Sequence, residues 1–115
     1  MFLKLNRIVK QKEFEKIFKK GKGKYSKSLG IKYLKNDFGF NRFAVIVSTK
    51  ISKKATERNK IKRRIRSILK KQKYQKTPNY DIIILTLPSI KLKTFIEIEK
   101  DIIYLLQNQR LLEKQ

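Results

Sequence analysis

Apolar residues recur along the chain at two different periods, and the change of period marks the elements. Between Lys10 and Lys20, Phe14, Ile17 and Phe18 fall at i, i+3 and i+4, one face of a short helix. Lys19 and Lys20 lie in its last turn, where the helix dipole favours cations, and Gly21 reads as the C-terminal stop. Leu29, Ile31 and Tyr33 then alternate with Gly30, Lys32 and Leu34, the period of a strand. Asn36 to Asn41 holds Asn, Asp and Gly and reads as a turn. Arg42 to Ser48 carries the continuous β-prone run Phe43 to Val47, the pattern of a central strand. From Ala55 to Lys71 the helical period returns, with Ile61, Ile65, Ile68 and Leu69 in one narrow stripe. Tyr80 to Leu87 is a second strong strand run, ended by Pro88. Thr94 and Glu97 have the spacing of a capping box, opening a last helix whose stripe is Phe95, Ile98, Ile102, Leu105 and Leu106.

The order helix, strand, strand, helix, strand, helix predicts a single small domain over residues 1–115 of α+β class, an α/β sandwich. Strand, helix, strand in the middle suggests a βαβ crossover with two parallel neighbours. A sheet of about four strands requires one more strand ahead of the central helix. Neither an internal repeat nor a low-complexity linker interrupts the chain.

Charge changes this picture most. The 115 residues hold 31 Lys and Arg against 9 Asp and Glu, a formal net charge of +22. Residues 1–49 contribute +10, residues 50–76 contribute +12, and residues 77–115 are balanced. Such a surface repels itself and prefers a polyanion beside it. Cys and His are both absent, so there is no disulfide framework, no thiolate zinc site and no His-based nucleophile pair. The few carboxylates are scattered, whereas a two-metal site needs several that converge. No apolar stretch is long enough to span a membrane, and Met1 to Arg7 lacks the apolar core of a signal peptide. A cytoplasmic polyanion-binding protein is expected.

The charge in the middle segment sits on a predicted helix rather than a tail, because a disordered tail has no reason to keep four aliphatics in register. Glu57 is its one acid among Arg58, Lys60, Lys62, Arg63, Arg64, Arg66 and Lys70. Like charges at i,i+4 cost a few tenths of a kcal/mol each, a cost that contacts with phosphates would offset. Four of the seven Arg lie between Arg58 and Arg66, and the guanidinium fork matches phosphate oxygens. Arg58, Lys62 and Arg66 form a row along one border of the stripe. The stem of Arg58 lies close enough to Ile61 to pack in the core with its head reaching out. An anionic membrane is the rival ligand, but the apolar stripe is needed for the core and carries neither Trp nor Phe. A DNA-binding helix is a further reading, without the helix-turn-helix partner or zipper that would support it.

The segment Lys53 to Arg66, with Arg58-Asn59-Lys60 at its centre, follows a strand ending Val47-Ser48-Thr49-Lys50. It resembles the signature of the bacterial ribonuclease P protein subunit family. Asn6-Arg7 ahead of Glu13-Phe14-x-x-Ile17-Phe18-Lys19-x-Gly21, then Ile31-x-Tyr33, then Tyr80-Asp81-Ile82-Ile83-Ile84, extend the resemblance over nearly the whole chain. There are departures. Lys60 stands where the family has Arg, Thr86-Leu87 precede Pro88 without a basic residue, and Ser52-Lys53 replace a usual Gly.

The resemblance implies an accessory subunit of an endoribonuclease that removes the 5′ leader of precursor tRNA. Hydrolysis would be carried by the catalytic RNA subunit and by Mg2+ held mainly by that RNA and the substrate. It implies no catalytic residue and no metal ligand on the protein, and no obligate protein partner. By the same resemblance Arg58, Asn59, Lys60, Lys62, Arg63 and Arg66 bind the RNA subunit. Phe14, Phe18, Ile31 and Tyr33, with Lys62 and Arg66, line a leader-binding cleft, and the βαβ crossover is left-handed. Spacing alone reads Phe14 and Phe18 as core residues; only the resemblance turns them toward a ligand. A ribosomal or other structural RNA-binding protein, without enzymatic role, is the alternative that composition leaves open.

Overall fold

The computed structural model describes residues 6–113. The ends of the expected domain, and most of the N-terminal stretch read for a signal peptide, lie outside the described residues. The elements are helix α1 (Gln11–Lys20), strands β1 (Lys22–Tyr25), β2 (Leu29–Asn36) and β3 (Arg42–Ile46), helix α2 (Ala55–Lys70), strand β4 (Asn79–Thr86), a 3-10 turn (Pro88–Leu92) and helix α3 (Phe95–Asn108). They form one mixed sheet in the order β1-β2-β4-β3. β1–β2 and β2–β4 are antiparallel; β3 and β4, joined through α2, are the parallel neighbours that the pattern predicts.

Strand alternation divides the sheet between two cores. Leu29, Ile31, Tyr33, Phe43, Val45, Ile82 and Ile84 turn to one face. There they pack with Ile65, Ile68 and Leu69 of α2 and Ile98, Ile102, Leu105 and Leu106 of α3. Burial of each such side chain contributes about 1.5–3 kcal/mol. The capping box at Thr94 is formed in both directions: the Thr94 Oγ1 accepts from the Glu97 N–H, and the Glu97 carboxylate accepts from the Thr94 N–H. The other face carries a smaller cluster of Ile83 with Ile8 and Ile17, bordered by Phe14, Leu34, Ala44, Ile46 and Leu85. Among the described residues one ten-residue helix, α1, crosses it, beside the segment that carries Ile8.

One sequence expectation changes and two are made specific. The Phe43–Val47 run reads as a central strand, yet β3 is at the edge of the order. Its run is continuous because both its faces are covered, and the Asn6–Ile8 segment lies along its outer side. Phe43 N–H donates to Asn6 O at 2.7 Å and Ile8 N–H to Phe43 O at 3.0 Å. The additional strand is β1, Lys-Gly-Lys-Tyr, which is mostly exposed and so carries no apolar alternation. Gly21 ends α1 in extended, not left-handed, backbone (φ −75°). Glycine is needed there for closeness: a Cβ would lie 2.5 Å from Ile17 O and 2.7 Å from Tyr33 O.

A polar clasp fixes the first half of α1 to the sheet. The Arg42 guanidinium donates to Asp81 through Nε (2.8 Å) and Nη2 (2.6 Å), and Nη2 lies 2.7 Å from Glu13 of α1. Asn36 adds a bond to Asp81 at 2.9 Å. The Arg42 hydrogen bond holds the Glu13 carboxyl below its ordinary range. Asp81, scattered in sequence from any partner, thus has a structural one.

Candidate nucleic-acid interface

Helix α2 starts without a side-chain cap on Lys54. Ser52 supplies local order in its place. Its hydroxyl donates to Glu57 Oε2 at 2.5 Å and accepts from the Lys54 N–H at 3.2 Å. The Arg58 guanidinium turns back and donates to Ser52 O at 2.9 Å. Arg58 is therefore half-buried and partly engaged in holding the helix start. Past it, the helix presents Asn59, Lys60 and Arg63 to solvent, with Lys62 and Arg66 half-buried on the border of the stripe. The six expected RNA-subunit residues thus share one helix, three of them on its outward side and three half-buried at its border.

A cleft of about 360 Å³ opens beside this border, along the outer edge of β3. Phe14 of α1 and Arg66 of α2 both line it, with Arg7, Ile8 and Val9 of the N-terminal segment and Ala44 and Ile46 of β3. No carboxylate lines it. The Arg66 pKa is lowered, first by burial and then by the positive charge of Arg7. Two guanidinium groups in an acid-free cleft, one of them desolvated, are arranged for an anion.

The remaining cleft residues expected from sequence fall in three different settings. Phe18 stands one turn after Phe14 on α1 and is 40% exposed, so it is not a core residue, nor does it line the Arg7–Arg66 cleft. Lys62 lies on the Arg66 side of α2 but likewise outside the cleft lining. Ile31 and Tyr33 are not brought together with Phe14 and Phe18. They face α2 and α3, Ile31 fully buried and Tyr33 packed edge-on to Tyr80 with its hydroxyl donating to Gln109 at 2.7 Å. The reason is strand alternation: it is Gly30, Lys32 and Leu34 of β2 that turn toward the α1 side. Across from Gly30, Tyr25 of β1 lays its exposed ring on the same face. Sequence reasoning did not single out Arg7, Lys32 or Tyr25 for the site. For Arg7 the Asn6-Arg7 pair was the available signal; for the others only the register decides.

Among the described residues no group of three or more Asp, Glu, His or Cys could hold a metal ion. No helix of the described chain is long and apolar enough to cross a membrane. A small α+β domain with a cationic helix beside an acid-free, aromatic-edged cleft defines a polyanion-binding module. Comparison with known proteins makes this specific. The sequence profile of the family described as Ribonuclease P matches residues 2–110. The ribonuclease P protein component of Syntrophomonas wolfei is 34% identical over 107 residues, covering 93% of this chain and 89% of that protein. That of Clostridium botulinum is 36% identical over 107 residues, covering 91% and 95%. Among solved structures, the Staphylococcus aureus RNase P protein superposes with a TM-score of 0.84 at 28% identity, covering 96% of this chain and all of that one. The Thermotoga maritima RNase P protein gives 0.76 at 25% identity, covering 90% and 96%. The chain belongs to the bacterial ribonuclease P protein family, an RNA-binding family of tRNA processing. Membership gives it a part in a ribonuclease complex.

Proposed function

We propose that this chain binds the catalytic RNA subunit of ribonuclease P through the outward side of α2. On the same reading it guides the 5′ leader of precursor tRNA along the α1 side of the sheet. The observation that carries this is the pair Arg7 and Arg66 in a cleft with an aromatic edge and no acid. Single-stranded RNA offers phosphates to the two guanidinium groups and base faces to Phe14, Phe18 and Tyr25. Stacking on an aromatic ring contributes about 1–3 kcal/mol per base and tolerates any base, which suits leaders of varied sequence. On the outward side, Arg63 and Lys60 meet phosphates of the RNA subunit, and Asn59 offers both a donor and an acceptor to sugar or base edges.

Bond breaking is assigned to the RNA subunit. Glu13 and Asp81 are both engaged by Arg42. On this reading Mg2+ is held by RNA and substrate phosphates, and the protein's share is positioning. Reconstitution tests the reading. The chain added to its cognate RNA subunit at low Mg2+ should speed precursor cleavage over the RNA alone. It should also favour leader-bearing substrate over mature tRNA. Absence of both effects, with the protein folded, overturns it in favour of a purely structural RNA-binding role.

A further inference from the structure

The flank of α2 turned away from the cleft bounds a second groove. Lys60 and Arg64 lie one helical turn apart, roughly 200° around the axis from Lys62 and Arg66. They form one wall of a groove of about 300 Å³; Lys91 and Lys93 of the segment after Pro88 form the other, over Ile61 and Ile90. The two walls come from elements about thirty residues apart, so this is a tertiary feature rather than a local run of charge. One carboxylate, Glu57, lies on it. Glu57 is bound by the Ser52 hydroxyl and lies close enough to Lys91, Lys54 and Lys60 for them to favour its ionised form. Lys93 Nζ stands 3.9 Å from Glu97, a loose surface pair. Four cations therefore line the groove against one carboxylate, leaving it strongly positive.

We infer that this groove binds the sugar-phosphate backbone of the catalytic RNA subunit, with Lys91 and Lys93 as phosphate contacts. Charge complementarity selects a polyanion. Continuity with Asn59 and Arg63 at the crest of the helix selects the RNA subunit over the leader, which the reading above places on the opposite flank. Helix α2 is then held along its crest and one side by the same RNA. This inference rests on the function proposed above.

The test compares two doubly substituted proteins in complex with the cognate RNA subunit. Lys91→Gln with Lys93→Gln removes charge from the groove. Lys73→Gln with Lys76→Gln removes the same charge beyond the far end of α2. Each lost phosphate contact lowers the slope of log affinity against log salt by about 0.7–0.9. The groove variant should lose about 1.5 of slope and bind the RNA subunit roughly ten-fold more weakly, while its preference for precursor over mature tRNA stays unchanged. The control should keep the wild-type slope. Equal losses in both variants, or no loss in the groove variant, overturn the inference. A fall in precursor preference instead assigns the groove to substrate and also overturns it. Failure of the wild-type protein to bind the RNA subunit defeats the underlying reading, a distinguishable result. Glu57→Gln works in the opposite direction and should tighten RNA-subunit binding. If the lysine variant does not fold, an unchanged affinity for Glu57→Gln overturns the inference.

Discussion

The two faces of the sheet are made from alternate residues of the same strands, and they are finished in opposite ways. Under α2 and α3, Leu29, Ile31 and Tyr33 of β2 and Ile82 and Ile84 of β4 are sealed into a core with almost no exposed surface. Toward α1 the alternating set includes a glycine, a lysine and half-buried aliphatics, and the single helix leaves Phe18 and Tyr25 in solvent. The first face provides the stability that lets the second remain partly open. A 115-residue chain has enough apolar surface to close one side of a four-stranded sheet, and the side left incomplete is the one available to a ligand.

This contrast can be broken most forcefully from the closed side. Ile31→Ala removes a fully buried side chain and should lower stability by about 2–5 kcal/mol. Chemical denaturation should show that loss, and the folded fraction should keep its preference for leader-bearing substrate. Loss of the preference at full folding would move Ile31 to the ligand side. Phe18→Ala asks the reverse question on the open side. It should weaken precursor binding by about 1–3 kcal/mol while the melting curve stays close to wild type. A large fall in melting temperature with no change in binding would make Phe18 a structural residue. The smallest effect concerns the clasp that holds α1 over the open face. Glu13 titrates below its ordinary value of 4.5 because of Arg42. A lowered folded pKa contributes stability above the unfolded value and loses it as pH falls through the folded one. Stability should therefore decline as pH drops below 4.5, and Glu13→Gln should flatten that part of the curve measured by denaturant titration. An unchanged acid limb would mean that the clasp is not coupled to folding.

Local signals were the legible ones. The Thr94–Glu97 capping box, the Ile61–Leu69 stripe and the Leu29–Tyr33 alternation each specify an element within a few residues, and each is present. What alternation cannot specify is which helix each set of alternate residues will meet. The resemblance puts Ile31 and Tyr33 in the leader-binding cleft, and the register of β2 with β4 turns them to the opposite face. The extra strand, β1, could be expected but not located, because an exposed edge strand of Lys, Gly and Tyr has no apolar period to detect. The Arg7–Arg66 relation is of the same kind, since it depends on the N-terminal segment laying itself along β3. The charge of the basic helix was legible as affinity for phosphate. That the helix has two flanks with different neighbours follows only from packing.

The backbone approach at Gly21 sets a dimension as well as a helix end. Helix α1 is pinned near its start by Glu13 and Arg42, and near its finish Gly21 lies against the Tyr33 carbonyl of β2, too close to admit a methyl group. With both ends fixed, the spacing between helix and sheet behaves as a gauge of constant width, filled by Ile17 against Ile83. Gly21→Ala would act as a shim, prying the finish of the helix away from the sheet and loosening that packing.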